Sequence, residues 1–237
     1  MALTEIPIEL SSTPSIVDGG NATAITIDSS ENIALAGNIT MSNATSPTIL
    51  MTDTTNTVSL KMFSGNTTGN IGITTNHPLT LFTNDTERMN ISAAGQVTMP
   101  SQPAFNVHPA SGQDNIAINT AVTVVFGTER FDIGANFASN TFTAPVTGKY
   151  QLNVHLQLGP VDSAAGFYQL QLITSNRSYD LTVDPNFSAD LTYYGITNSV
   201  LADMDASDTA IIKIYQNSGT AQTDISASTS FSGYLVA

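Results

Sequence analysis

The strongest structural signal in the chain is the segment Asn140-Thr-Phe-Thr-Ala-Pro-Val-Thr-Gly-Lys-Tyr150-Gln-Leu-Asn-Val-His-Leu-Gln-Leu158. From Tyr150 to Leu158, apolar and polar residues alternate strictly, which predicts a strand with one buried face. Pro145 ends a preceding strand without needing a hydrogen-bond donor, and Gly148 permits the turn into the next strand. We therefore expect Phe142 and Tyr150 to face a core.

Further alternating segments lie on both sides of this one. Together the predicted strands are Val122–Phe126, Thr141–Thr143, Tyr150–Leu158, Phe167–Thr174, Tyr179–Val183, Ala210–Tyr215 and Phe231–Val236. Gly, Pro, Asn and Asp separate them, as is typical of turns between antiparallel strands. This pattern predicts a two-sheet β-sandwich or jelly roll.

The composition changes at Pro100-Ser101-Gln102-Pro103, where two prolines interrupt the strand pattern. The chain has seven Tyr and ten Phe, and only Phe63 and Phe82 precede this point. The second region therefore has the large side chains that a conventional core needs. We predict a knob domain over residues 101–237.

The region before the knob has short apolar pairs in period-2 alternation, separated by turn-forming residues. The pairs are Ile25/Ile27, Ile33/Leu35, Ile39/Met41, Ile49/Met51, Val58/Leu60/Met62, Ile71/Ile73, Leu79/Leu81, Met89/Ile91 and Val97/Met99. Such short strands bury too little apolar surface to offset an ordering cost of about 1 kcal/mol or more per residue. We predict that residues 21–100 form a β-structured shaft of three chains around a three-fold axis, with a monomeric sandwich as the alternative. The whole chain is predicted to be all-β.

Several segments of the knob resemble the globular heads of the complement-type, tumour necrosis factor-like jelly-roll family. They are Pro103–Val107, Val125-Phe126, Phe131–Gly134, Asn140–Tyr150 and Ser230–Leu235. The resemblance implies a ten-stranded jelly roll that forms a homotrimer through flat aromatic faces. The residues expected to pack in the core or the trimer are Phe131, Phe142, Tyr150, Phe231 and Tyr234.

No collagen-like Gly-X-Y stalk precedes the knob. Instead, the Asn/Thr-rich region, with Met1–Ile8 at its start and Asp85–Met99 at its end, resembles the shafts of bacteriophage fibre and spike proteins. The two resemblances together imply a trimeric virion appendage, made in the host cytoplasm and displayed on the virion surface. We expect residues 1–20 to be an extended arm in which Ile6, Ile8 and Leu10 dock on other virion proteins of the capsid or tail by strand addition, with a flexible tail as the alternative.

Charge and composition exclude several classes of partner. Six Lys and Arg against 19 Asp and Glu give a net charge of −13, which would repel a nucleic acid. The N-terminus has no signal-peptide pattern, and no stretch approaches the about 18 apolar residues of a membrane span. With no Cys, the chain has neither disulfides nor a thiol nucleophile. We expect no nucleic-acid binding and no membrane insertion.

Motifs for catalysis are absent from the sequence. His77, His108 and His155 lack metal-ligand spacing, and neither a Gly-x-Ser-x-Gly motif nor a phosphate-binding loop occurs. We therefore predict that the protein is not an enzyme, with no catalytic residues and no cofactor. Asp203, Asp205 and Asp208 predict a solvated acidic turn, with a Ca²⁺ site as the alternative.

Two functions fit these observations. The first is adhesion to a host-surface glycan or protein through the knob, for which Tyr193 and Tyr194, in a predicted exposed loop, are the candidate contacts. The second is capsid decoration, in which the same trimer acts as a cement protein at three-fold positions of the coat. A bacterial secreted adhesin of the same class is a third possibility, which the missing export signal disfavours.

Overall fold

A computed structural model describes residues 25–27, 33–35, 38–42 and 45–237 of the chain. Within these ranges there are strands and turns but no helix, so the predicted all-β fold class is confirmed. None of the described residues lies in a helix long and apolar enough to cross a membrane. The chain divides into two compact units, Met1–His77 and Pro78–Ala237. The domain boundaries at residues 20 and 100 stay predictions.

The described residues of the first unit form two small antiparallel sheets. Strands β1 (Ile25–Ile27) and β2 (Ile33–Leu35) form a two-stranded sheet, and β3 (Thr48–Asp53), β4 (Val58–Ser64) and β5 (Gly69–Ile73) form a meander in the order β3-β4-β5. The turn between β3 and β4 is held by the Asp53 carboxylate, which accepts hydrogen bonds from the backbone N–H of Thr55 at 2.9 Å and the side-chain amide of Asn56 at 2.8 Å. These bonds lower the pKa of Asp53.

One predicted pair in this unit is not a strand. Ile39 and Met41 alternate as predicted, but residues 38–42 pair with no other strand among the described residues. The reason is that period-2 alternation reports only which way side chains point, whereas a strand also needs a neighbour for its backbone hydrogen bonds. The other predicted pairs of the shaft all contribute residues to strands.

The second unit begins with another three-stranded meander. It consists of β6 (Leu79–Thr83), β7 (Thr86–Ile91) and β8 (Val97–Thr98). Asn84 and Asp85 connect the first two strands with φ angles of 50° and 52°. Two consecutive residues with positive φ make the hairpin turn whose twist matches that of the flanking strands, and Asn and Asp tolerate this conformation better than most residues.

The knob is a sandwich of two antiparallel sheets. Sheet I has the order β11-β9-β19-β14-β17, and sheet II has the order β12-β13-β18-β15-β16, with β10 also pairing with β18. The strands of sheet I are β9 (Ala104–His108), β11 (Thr128–Ile133), β14 (Gly148–Leu158), β17 (Tyr194–Met204) and β19 (Ser230–Leu235). Those of sheet II are β10 (Ala121–Thr123), β12 (Phe137–Ala138), β13 (Thr141–Thr143), β15 (Phe167–Thr174), β16 (Ser178–Val183) and β18 (Thr209–Asn217).

The core between the sheets follows from the predicted alternation. Every second residue of β14 from Tyr150 to Leu158 is buried. At one end of the core, Phe105 stacks on Phe142 with ring centroids 4.6 Å apart and meets Phe231 edge-on at 4.9 Å. Gly233 in β19 is needed here, since a Cβ would lie 2.7 Å from Leu152 and 2.8 Å from Phe105.

The structure corrects several details of the predicted knob. All of residues 101–237 are described, and they form eleven strands rather than the ten that the resemblance implies. The predicted strand Val122–Phe126 stops at Thr123. The eleven-residue strand β17 was not predicted, because the polar run Thr197-Asn198-Ser199 interrupts its apolar alternation. Its ends also contain Tyr194 and Asp203, which the sequence analysis placed in loops or turns.

Candidate functional site

A cleft of about 490 Å³ opens at the end of sheet I where β14 ends and β17 begins. Three connections between strands meet there: the one after β14, the one before β17, and the one between β18 and β19. The lining residues are Gly159, Pro160, Asp190, Leu191, Thr192, Tyr193 and Asp224. Clefts of this size are large enough to hold a small ligand.

The loop that carries Tyr193 is fixed to the sandwich on two sides. Val161 and Leu191 exchange backbone hydrogen bonds of 2.8 and 3.2 Å, as in a short piece of antiparallel ladder. The backbone of Gly159 packs against this loop, because a Cβ on this glycine would clash with the carbonyl oxygen of Thr192 and lie 2.7 Å from Cδ1 of the Tyr193 ring. The ring is 64% exposed and makes no ring contact or hydrogen bond with the described residues. The cleft therefore presents a supported aromatic surface to solvent.

Two carboxylates complete the cleft, and each is anchored through one oxygen. Oδ1 of Asp190 accepts hydrogen bonds from the backbone N–H of Ser163 at 2.8 Å and from its hydroxyl at 2.7 Å. Oδ1 of Asp224 accepts a hydrogen bond from the backbone N–H of Asn115 at 2.6 Å. Within the described residues, the Oδ2 atoms have no hydrogen-bond donor. The arrangement can accept hydrogen bonds from hydroxyl or ammonium groups of a ligand that packs on the ring.

The two predicted receptor contacts have different environments. Tyr193 lines the cleft, whereas Tyr194 is the first residue of β17 and is only partly exposed. The Tyr194 ring packs against Phe187 with centroids 5.5 Å apart. Tyr194 thus supports the loop from behind, and Tyr193 is the residue available to a ligand. Gly159 and Asp224 were missed, because only the tertiary structure brings these distant residues to Tyr193.

The predicted packing residues of the knob fall into two groups. Phe142, Tyr150 and Phe231 are buried in the core. Phe131 and Tyr234 lie on the outer surface of the knob and are 48% and 49% exposed. Burial raises the pKa of the Tyr150 hydroxyl, which donates a hydrogen bond of 2.8 Å to the carbonyl oxygen of Val146.

The outer face of sheet I combines apolar and polar groups. The register places Gln151 of β14 between Tyr234 of β19 and Leu201 of β17. Gln151 donates a hydrogen bond of 2.9 Å to Ser199, which donates one of 2.7 Å to Asn153. This face thus has ordered polar groups beside large exposed side chains, a composition typical of interfaces.

The carboxylates of the acidic turn, Asp203, Asp205 and Asp208, do not converge on one point. Asp203 pairs with Arg177 at 3.0 Å. One carboxylate oxygen of Asp208 accepts hydrogen bonds from the backbone N–H of Asp205 at 2.8 Å and from the side-chain amide of Asn176 at 2.9 Å. No group of three potential metal ligands occurs in the part of the chain that the structure describes. These residues therefore do not fit a Ca²⁺ site.

The predicted docking residues Ile6, Ile8 and Leu10 lie outside the described residues.

A buried carboxylate that the sequence analysis missed holds the loops beside the cleft. Asp162 is 3% exposed and accepts hydrogen bonds from the backbone N–H groups of Ala164 at 2.8 Å, Ala221 at 2.7 Å and Thr220. Burial raises the pKa of Asp162, but these hydrogen bonds outweigh it and hold the pKa below its ordinary value. The residue joins the segment after β14 to the segment after β18.

Comparisons with known proteins match the knob. The sequence model of the family described as the C1q domain matches residues 104–236, which is more than half of the chain. Among solved structures, the globular domain of the zebrafish complement 1qA protein is similar at 17% sequence identity, covering 57% of this chain and 98% of that chain with a TM-score of 0.42. No curated protein matches the chain. The cleft and the outer face of sheet I both lie within the range that the family model matches.

Proposed function

The chain belongs to the C1q domain family, whose domains are trimeric jelly-roll recognition modules. From this membership we propose that it is a homotrimeric adhesion protein on the surface of a bacteriophage particle. The knob binds a host-surface glycan, and residues 1–20 attach the trimer to other virion proteins. The protein is made in the host cytoplasm and has no enzymatic activity. The virion placement is supported by the resemblance of the Asn/Thr-rich region to phage shafts.

The observation that carries the adhesion proposal is the exposed Tyr193 ring, which packs against Gly159 in a cleft that also contains the two anchored carboxylates. An aromatic face packs on the C–H groups of a sugar ring, while carboxylate oxygens accept hydrogen bonds from its hydroxyls. Because the loop is already fixed, binding costs little further ordering. A trimer presents three such clefts, so weak single-site contacts add to a useful avidity.

Trimer formation by the knob is supported by the outer face of sheet I. Tyr234 and Leu201, 49% and 58% exposed, flank the hydrogen-bonded group of Gln151, Asn153 and Ser199. A neighbouring copy would cover these apolar side chains.

Adhesion is tested by measuring binding of the full-length protein to an array of bacterial surface polysaccharides. We expect binding by the wild type and loss of binding in Tyr193→Ala. The matched control is Phe82→Ala, because the Phe82 ring in β6 is 65% exposed but lies outside the cleft. Equal binding by the two variants, or no binding by the wild type to any polysaccharide, would refute adhesion through the cleft.

Virion placement needs a separate experiment. Gold-labelled antibody against the knob, viewed on phage particles by electron microscopy, is expected to mark the particle surface. Label at the tail favours the fibre, and label distributed over the head at three-fold positions favours the decoration protein. Particles without any label would refute the virion proposal while leaving the adhesion result unaffected.

A further inference from the structure

The meander of β3, β4 and β5 has two faces of opposite chemistry. The register aligns Ile49, Met62 and Ile71 in one row across the three strands, and Met51, Leu60 and Ile73 in the next. We call these six residues the apolar face. The opposite face carries Thr48, Thr52, Ser59, Lys61 and Asn70, with Leu50 and Phe63 as its two large apolar residues. A sheet with one apolar face is stable in water only when a second layer covers that face.

No second layer is found among the described residues of this unit. Ile49, Met51, Met62 and Ile71 are between 41% and 55% exposed. A groove of about 520 Å³ lies along one row of the apolar face, which is Ile49, Met62 and Ile71. Side chains that are scattered singly on a surface need no explanation, but a contiguous apolar surface marks an interface.

The segment 38–42 beside this groove also lacks a partner. Ile39 and Met41 line the groove and are 67% and 46% exposed. Their backbone forms no hydrogen bond with the described residues, although the alternation is that of a strand. Both β3 and β5 are edge strands of the meander, so each has one open edge. An unpaired extended segment and open sheet edges are the elements from which strands pair between chains.

We propose that the apolar face is covered by the apolar faces of two further copies of this chain, and that segment 38–42 pairs with an edge strand of a neighbouring copy. The inference rests on the proposed function, because the number of copies is taken from the trimeric C1q head. A trimeric head brings three meanders together at high effective concentration. The six residues of the apolar face are uncharged, and Asp53 at the end of β3 is the charged residue of β3 on that side, so little of the net charge of −13 lies where the copies meet.

Two neighbouring residues of β3 provide a matched test. Leu50 and Met51 are 58% and 52% exposed in the single chain, but they point to opposite faces of the meander. If the meander is uncovered, Leu50→Asp and Met51→Asp have the same small effect. If the apolar face is covered, only Met51→Asp places a charge in an apolar interface.

The readout is hydrogen exchange of residues 48–73 in the full-length protein, with molecular mass from analytical ultracentrifugation. We expect Met51→Asp to raise the exchange rate of these amides by about tenfold or more, and Leu50→Asp to change it by less than about twofold. Equal rates in both variants would overturn the inference. If the protein nevertheless sediments as a trimer, the trimeric head of the proposed function stands and only the shaft interface fails.

Cross-linking distinguishes neighbouring copies from other ways of covering the face. The chain has no cysteine, so Met62→Cys on the apolar face and Lys61→Cys on the opposite face each introduce a single thiol. A short bismaleimide is expected to link copies through Met62→Cys and not through Lys61→Cys. Equal linking would overturn the inference. A second control deletes residues 1–24. If residues 48–73 then lose their exchange protection while the trimer mass is unchanged, the chain's own N-terminal arm covers the apolar face, and the inference is overturned as well.

Discussion

The carboxylate of Asp162 is expected to stabilise the end of the knob that carries the cleft. The carboxylate is 3% exposed and accepts hydrogen bonds from three backbone N–H groups, those of Ala164, Thr220 and Ala221. In Asp162→Asn the side chain keeps its shape, but one acceptor oxygen becomes an NH₂ group. At least one N–H group then faces a donor instead of an acceptor.

The magnitude follows from the bonds that are lost. One hydrogen bond to a buried charged group contributes about 1.5–3 kcal/mol. For a unit the size of residues 78–237, each kcal/mol shifts the unfolding midpoint by about 2–4 °C, so we expect Tm to fall by about 3–12 °C. Differential scanning calorimetry at neutral pH measures this shift. The control is Asp184→Asn, which removes the same charge from an exposed loop and is expected to change stability by less than about 0.5 kcal/mol.

The pH dependence tests the same reasoning independently. The folded-state pKa of Asp162 is held below the ordinary value of 3.8. Its stabilising contribution is therefore complete above the unfolded pKa and is lost as the pH falls through the folded pKa. The difference in Tm between the wild type and Asp162→Asn should accordingly shrink below about pH 4. Equal midpoints for Asp162→Asn and Asp184→Asn at neutral pH would refute the argument.

Three further predictions concern the cleft, the trimer and the core. Gly159→Ala places a methyl group in a clash with the carbonyl oxygen of Thr192 and 2.7 Å from the Tyr193 ring, which forces the loop to move, so we expect at least about tenfold weaker glycan binding by calorimetric titration with an unchanged trimer mass. Tyr234→Asp places a charge on the outer face of sheet I and should lower the sedimenting mass from three chains to one chain of 24.9 kDa, whereas Tyr193→Asp should leave the trimer intact. Phe231→Ala removes a fully buried ring and should cost about 3–5 kcal/mol in denaturant unfolding; a loss below about 1 kcal/mol would contradict the packing argument.

The sequence was most informative where one periodic signal determined both local structure and burial. The alternation from Tyr150 to Leu158 predicted β14 and its buried face, because strict period 2 admits only one orientation of the strand relative to a core. Strand β17 was not predicted, since Thr197, Asn198 and Ser199 resemble a loop. These residues form a strand because their backbone pairs with β14. This pairing joins segments that are far apart in the sequence, so it cannot be predicted from the local pattern.

The candidate site was predictable only in part. Tyr193 was identified as an exposed aromatic in a loop, but its support by Gly159 and its proximity to Asp224 depend on how distant loops meet. Tyr194, adjacent in sequence, was assigned the same role, and the start of β17 turned it towards Phe187 instead. Consecutive residues at the end of a strand point to opposite sides, so two adjacent tyrosines can differ in exposure.

Charge determines which interactions are available to the cleft. Each copy carries a net charge of −13, and the cleft itself contributes Asp190 and Asp224, so under the proposed function a trimer would approach an acidic bacterial surface against a repulsive field. Salt screens that field over about 8–10 Å, whereas ring stacking and hydrogen bonds act at contact and are little affected by screening. Adhesion through Tyr193 should therefore persist or strengthen as ionic strength rises. A protein that bound through long-range attraction would weaken under the same conditions, so the salt dependence of binding distinguishes contact recognition from electrostatic capture.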